Sequence, residues 1–151
     1  MLTEAIILAA QAHEGQLDKG GHPYIFHPLR LMLQLESEKD RIIAILHDVI
    51  EDTDWTLDKL REEGFSEEIV SVIDSLSRRE EENYEEYIGR LMRDPTACRI
   101  KLLDLRDNRD LTRIRVESAD VRERVKKYQR AQKRIQEALA KDPEQESTPQ
   151  Y

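Results

Sequence analysis

Cysteine is all but absent from this chain, with Cys98 alone among 151 residues. A single thiol closes no internal disulfide, which fits a reducing compartment. Long apolar runs are absent too: none exceeds a few residues, and no membrane span, signal peptide or transit segment is visible. The expected location is the cytoplasm, with no membrane partner. Positive charge is in deficit, 24 Lys and Arg against 32 Asp and Glu, for a formal net charge of -8. Without a basic arm the chain would on average repel a phosphate backbone, so nucleic acid is not an expected partner. A small anionic substrate stays compatible with that field if a local basic cluster or a metal ion offsets it. The length suits one domain with a real hydrophobic core. It leaves a homo-oligomer open.

Alternating strand patterns and internal repeats are also missing, and helix signals take their place from end to end. Thr3 is positioned to cap a first helix that carries Ala5, Ile6, Leu8, Ala9 and Ala12 and ends near Gly15. After a loop with Gly20, Gly21 and Pro23, a second helix is expected to start at Pro28 and run through Leu29, Met32 and Leu33. Ile42, Ile45, Leu46, Val49 and Ile50 mark a third. Thr56 and Gly64 bracket a short helix, and Ser66 caps another through Ile69, Val72, Ile73 and Leu76. A charged connector, Arg78-Arg-Glu-Glu-Glu-Asn, leads to a helix with Tyr84, Tyr87, Ile88 and Leu91. Asp94-Pro95 ends that helix, and Pro95 or Thr96 opens the next, through Ile100 and Leu103. Ser118 is positioned to cap a long terminal helix with Val121, Val125, Tyr128, Ile135 and Leu139. Residues 142–151 carry no apolar pattern and read as a disordered tail. The expected fold is all-α, one domain over residues 1–141.

Histidine is rare, four in all, so each can be weighed. In Leu46-His-Asp-Val-Ile-Glu-Asp-Thr-Asp54, His47 and Asp48 are adjacent on an otherwise apolar stretch. Glu51 lies four residues past His47 and three past Asp48, so a helix puts all three on one side. A neutral imidazole beside carboxylates suits a divalent cation; a polar helix end capped by Asp52, Thr53 and Asp54 is the competing reading. His27 precedes Pro28, which favours an extended backbone at the mouth of the second helix. From there the imidazole would either project into a cleft or merely cap the helix. Asp104, Asp107 and Asn108 share a helical face. A solvated surface accounts for Asp107. Asp104 sits among Leu102, Leu103 and Leu105, where a carboxylate is costly unless paired or bound to a cation.

Four blocks follow in order: Ala12-His-Glu-Gly-Gln, Lys19-Gly-Gly-His-Pro-Tyr-Ile-Phe-His-Pro, His47-Asp-Val-Ile-Glu-Asp-Thr, and Lys101-Leu-Leu-Asp with Asn108 beyond. Together they resemble the HD phosphohydrolase superfamily. The likeness is to the hydrolase domain of the RelA/SpoT alarmone enzymes and to the stand-alone small alarmone hydrolases. It covers roughly residues 4 to 130. The resemblance implies a compact multi-helix HD fold in which His27, His47, Asp48 and Asp104 bind one divalent ion, usually Mn2+. It implies that Glu51 and Asp52 orient the attacking water and accept its proton. Lys19 and Asn108 match nucleotide-contacting positions. Arg124-Val-Lys-Lys-Tyr128 resembles an Arg-Val-x-x-Tyr stretch that contacts the nucleotide in the stand-alone enzymes, although an ordinary long helix explains Arg124 and Tyr128 equally well.

One departure stands out. Asp18 occupies a position where alarmone hydrolases usually carry a basic residue that stacks on the purine. The change removes a cation–π partner and adds repulsion toward phosphate. The connector with Arg78, Arg79 and Tyr84 is also unlike the longer segment of the bifunctional enzymes. The implied function is metal-dependent removal of the 3′-pyrophosphate from a guanosine or adenosine alarmone, (p)ppGpp-like or (p)ppApp-like. A nucleotide phosphatase of other specificity, acting for example on NADPH, is the second enzymatic reading. A non-catalytic nucleotide-sensing HD protein is the third, and the intact Glu51-Asp52 pair argues against it.

Overall fold

The computed structural model describes residues 1–110 and 119–141. Among them are nine helices: α1 (Leu2–Ala12), α2 (Phe26–Met32), α3 (Glu38–Leu46), α4 (Val49–Asp52), α5 (Leu57–Glu62), α6 (Glu67–Leu76), α7 (Tyr84–Leu91), α8 (Pro95–Asn108) and α9 (Ala119–Ala140). No strand occurs among the described residues; Leu17 and Pro23 form an isolated antiparallel bridge that closes the loop between α1 and α2. The all-α expectation holds.

Helix α3 is the axis of the molecule. Ile42 through Leu46, the second half of α3, are five consecutive residues with at most 2% exposure, and a helical segment apolar on every side must be enclosed. Helices α1, α2, α6 and α8 pack around it, and α9 packs on α8. In α9 the contact is a stripe of Tyr128, Ala131, Ile135 and Leu139 at three- and four-residue spacing.

Capping explains most of the boundaries. Thr56 accepts a hydrogen bond from the Lys59 amide, and Gly64 follows α5 at φ 90°. Asn83 and Glu86 form a reciprocal capping box at the start of α7. Asp94 accepts from the Thr96 and Ala97 amides, with Pro95 in the first turn of α8. Ser66 occupies the cap of α6 without a side-chain bond.

Three boundaries differ from the sequence expectation. Helix α1 starts at Leu2 with Met1 at its cap, so Thr3 lies inside it, and it ends at Ala12. Helix α2 begins at Phe26, two residues early. His27 is therefore helical rather than extended. Pro28 is tolerated because first-turn amides have no intrahelical acceptor, and the His27 side chain is held by partners described below. The stretch around His47 is two helices, not one: α3 stops at Leu46, His47 and Asp48 form the joint, and α4 adds a single turn. Ser118 and the tail at 142–151 lie outside the described residues.

The charged connector between α6 and α7 is tied down by Arg90. Its guanidinium donates to the Glu82 carboxylate at 2.6 and 3.0 Å, to Asp74 O at 3.0 Å and to Ser77 O at 2.7 Å. Tyr87 adds a hydroxyl bond to Leu76 O at 2.5 Å.

Candidate metal centre and active site

Three elements converge on one buried point. Helix α2 supplies His27, the α3–α4 joint supplies His47 and Asp48, and α8 supplies Asp104. His27 Nε2 lies 3.0 Å from Asp104 Oδ1 and 3.5 Å from Asp48 Oδ2. His47 Nε2 lies 2.9 Å from Asp48 Oδ2 and 3.5 Å from Asp104 Oδ1. Ligand atoms of His27, His47 and Asp104 all fall within 4.8 Å of one another. The break at His47-Asp48 matters here, because it lets adjacent side chains turn toward the same point.

The donor set fits a divalent ion. His47 Nδ1 is 2.7 Å from Ala44 O; a carbonyl only accepts, so Nδ1 carries the proton and Nε2 is the atom free to coordinate. Nε2 is buried and has no hydrogen-bond partner, although two carboxylates face it. Buried polar atoms are seldom left this way, and an ion-binding position accounts for it. His27 Nδ1 is likewise engaged, 2.6 Å from Asp107 Oδ2, leaving Nε2 toward the centre.

The buried charges of the centre shift one another. Burial pulls the His47 imidazole down, but the Asp48 and Asp104 carboxylates outweigh it and raise it to about 10. His27 is raised well above its ordinary value by Asp104, Asp107 and Asp48, against burial. Burial pushes Asp104 up, yet Lys101 and the imidazoles hold it well below the carboxylate range. Lys101 Nζ donates to Asp104 Oδ2 at 2.6 Å, and Asn108 Nδ2 donates to Asp104 Oδ1 at 3.0 Å. Tyr24 completes the ring with a 2.5 Å hydroxyl bond to Asp48 Oδ2.

Beside this centre opens a cleft of about 220 Å³. Lys19, Asn108, Arg124 and Tyr128, the four positions matched to nucleotide contacts, all line it together with His27, Tyr24 and Arg30. Asp18 lines it too, but its carboxylate has a local task. Oδ1 accepts from the Gly20 amide at 2.8 Å and the His22 amide at 2.9 Å, shaping the loop that carries Lys19.

Glu51 and Asp52 lie on α4, and neither lines this cleft. The Glu51 carboxylate accepts from the Arg78 amide of the connector. Burial and the Asp48 charge raise Glu51, opposed by that amide. Asp52 is raised by burial and by Asp48. Carboxylates held above their usual range are better proton acceptors when they ionise.

A family model described as HD domain matches residues 5–145. The chain belongs to the HD-domain family. Divalent-metal dependence goes with an HD domain, and the His/Asp cluster could hold such an ion. Among curated proteins, this HD chain is 36% identical over 117 residues to a guanosine-3′,5′-bis(diphosphate) 3′-pyrophosphohydrolase of Haemophilus influenzae, covering 68% of this chain and 17% of that one. It is 32% identical over 119 residues to the Aquifex aeolicus protein of the same name, covering 71% and 17%. It is 30% identical over 122 residues to the bifunctional (p)ppGpp synthase/hydrolase SpoT of Escherichia coli K12, again covering 71% and 17%. The HD chain thus spans about a sixth of the length of these relatives. A solved structure described as a metazoan ortholog of SpoT that hydrolyzes ppGpp matches with a TM-score of 0.73 at 22% identity, over 91% of this chain and 84% of that one. That match shows the HD fold.

Several residues of the site escaped the sequence reading. Asp107, read there as solvated, is 9% exposed and bonded to both His27 and Arg30. Arg30 stands one helical turn beyond His27, a spacing visible in the sequence. Lys101 stood in the matched motif without a role. Tyr24 likewise stood in a matched block, with no role given to it.

Proposed function

We propose that this HD domain is a divalent-metal-dependent phosphohydrolase that removes the 3′-pyrophosphate of a (p)ppGpp-like nucleotide. The observation that carries the reading is His27: its Nε2 faces Asp104 and Asp48 while its ring lines the cleft that holds Lys19, Asn108, Arg124 and Tyr128. A His/Asp cluster that could hold an ion and a cleft sharing one side chain support phosphoryl chemistry at their junction. The names of the relatives point to the same nucleotide.

In this reading His27, His47, Asp48 and Asp104 hold one ion, and the mixed nitrogen and oxygen donors suit Mn2+. When bound, the ion stabilises charge on the phosphoryl oxygens. Glu51 and Asp52 orient the attacking water and take its proton. Lys19 and Arg124 supply positive charge to the phosphates, Tyr128 a ring face and hydroxyl, and Asn108 an amide shared with Asp104. Lys101 fixes the Asp104 carboxylate so that Oδ1 faces the two imidazoles.

The test is a panel assay with Mn2+, following pyrophosphate and orthophosphate separately. Pyrophosphate released from guanosine tetraphosphate and abolished by a chelator is the expected result. Release from the adenosine analogue alone would reassign the base. Orthophosphate from NADPH, with both tetraphosphates untouched, would make it a phosphatase of other specificity. Binding without turnover of any of them would make it a sensor.

A further inference from the structure

We propose that Asp107, anchored by Arg30, is the positioning residue that aims His27 at the metal and so sets the affinity of the site. The inference rests on the reading of His27 as a ligand. His27 Nδ1 is 2.6 Å from Asp107 Oδ2. An ionised carboxylate only accepts hydrogen bonds, so the Nδ1 proton is fixed and Nε2 is the coordinating atom. The same carboxylate is gripped by Arg30, whose Nε donates to Oδ1 at 2.8 Å and whose second amino group donates to Oδ2 at 3.0 Å. A two-pronged guanidinium–carboxylate pair fixes direction as well as distance.

Burial grades along this chain of contacts. The side chains of His27 and Asp107 are 5% and 8% exposed, and that of Arg30 is 32% exposed. Arg30, His27 and Asp107 all line the cleft. The partially exposed guanidinium therefore connects the cleft to a ligand of the metal site through two buried groups. Asp107 and Arg30 come from α8 and α2, so the link also braces the packing of those helices.

The test is Mn2+ binding to the purified chain by electron paramagnetic resonance of the free ion, for the wild type, His27→Ala, Asp107→Asn and Arg30→Gln. A second readout is the downfield proton resonance of His27 Nδ1–H in the metal-free protein. Asp107→Asn is expected to weaken Mn2+ binding about 10- to 100-fold and to move the Nδ1–H resonance upfield. Arg30→Gln is expected to weaken binding less, with a smaller shift of the same resonance. Because Arg30 can be replaced from its solvent side, that variant reads the link even if Asp107→Asn does not fold. Wild-type affinity together with an unmoved resonance, in whichever of the two variants folds, overturns the inference. If His27→Ala itself binds Mn2+ like the wild type, His27 is not a ligand, and the functional reading fails before the positioning role is reached.

Discussion

At the scale of the residue, the placement of single protons and charges decides what the centre can do. Ala44 O accepts the hydrogen bond from His47 Nδ1–H, which leaves Nε2 turned to the centre, and Lys101, 2.6 Å away, holds Asp104 well below the carboxylate range against burial. Asp104→Ala should abolish metal binding, seen as lost Mn2+ stoichiometry. It should also cost about 3–5 kcal/mol in urea unfolding, since Lys101 is left buried without its partner. Undiminished occupancy would remove Asp104 from the site. Glu51→Gln keeps an acceptor for the Arg78 amide, so metal and nucleotide binding should persist while turnover falls roughly 10²- to 10⁴-fold. Turnover near wild type would shift the base to Asp52. Asp18 shows how a tertiary role inverts an expectation. From sequence alone, Asp18→Arg should restore a purine-stacking cation and lower KM. With Oδ1 holding the Gly20 and His22 amides, two bonds to a charged acceptor, each contributing about 1.5–3 kcal/mol net, are lost, against roughly 0.5–2 kcal/mol regained. A higher KM for guanosine tetraphosphate is expected, and a lower one would show that the loop tolerates the loss.

At the scale of the element, the α6–α7 connector governs Glu51 from a distance. Arg90 fixes residues 74–82, and these in turn present the Arg78 amide to Glu51. Arg90→Ala should destabilise the fold by about 2 kcal/mol and lower turnover without altering metal affinity, measured by denaturation and by kinetics side by side. The pair also predicts a pH signature. Arg90 lowers Glu82 from its ordinary 4.5 to about 2. A depressed carboxylate contributes stability above its unfolded value and loses it as pH falls through the folded one. The wild-type advantage over Glu82→Gln should therefore be full above pH 4.5 and fade toward pH 2. An advantage independent of pH across that window would show that the ion pair does not contribute.

At the scale of the molecule, a centre built from α2, the α3–α4 joint and α8 exists only in the folded chain, so an ion held there would couple its binding to folding. An ion that binds only the assembled site stabilises the whole by mass action, about 2.7 kcal/mol at a hundredfold excess over Kd. For a chain of this length that is a rise in Tm of roughly 5–10 °C, reversed by a chelator. A Tm indifferent to both Mn2+ and chelator would mean that the cluster does not take the ion.

Local rules were enough for the helices whose signals are neighbours in the chain. Thr56 and Gly64 around α5, and Asp94-Pro95 before α8, act within four residues of the amides and carbonyls they satisfy, so periodicity and caps define these elements. The residues that converge on the buried centre were legible for a related reason: each block is short, and its residue types suit a cation. What lay beyond reach was every contact made across the fold. His27 and Asp107 are 80 residues apart, Tyr24 and Asp48 are 24 apart, and Glu51 meets an amide 27 residues on. The helix break at His47-Asp48 belongs to this group, since an apolar repeat running from Ile42 to Ile50 gives no hint of it. So does the helical state of His27 before a proline, a local bias overridden by side-chain bonds from another helix. Sequence alone determined that the chain is helical and which residues could bind a metal. Only packing decided which of their atoms face it, because a proton, a lone pair or a carboxylate is aimed by whatever stands opposite, and that neighbour comes from elsewhere in the chain.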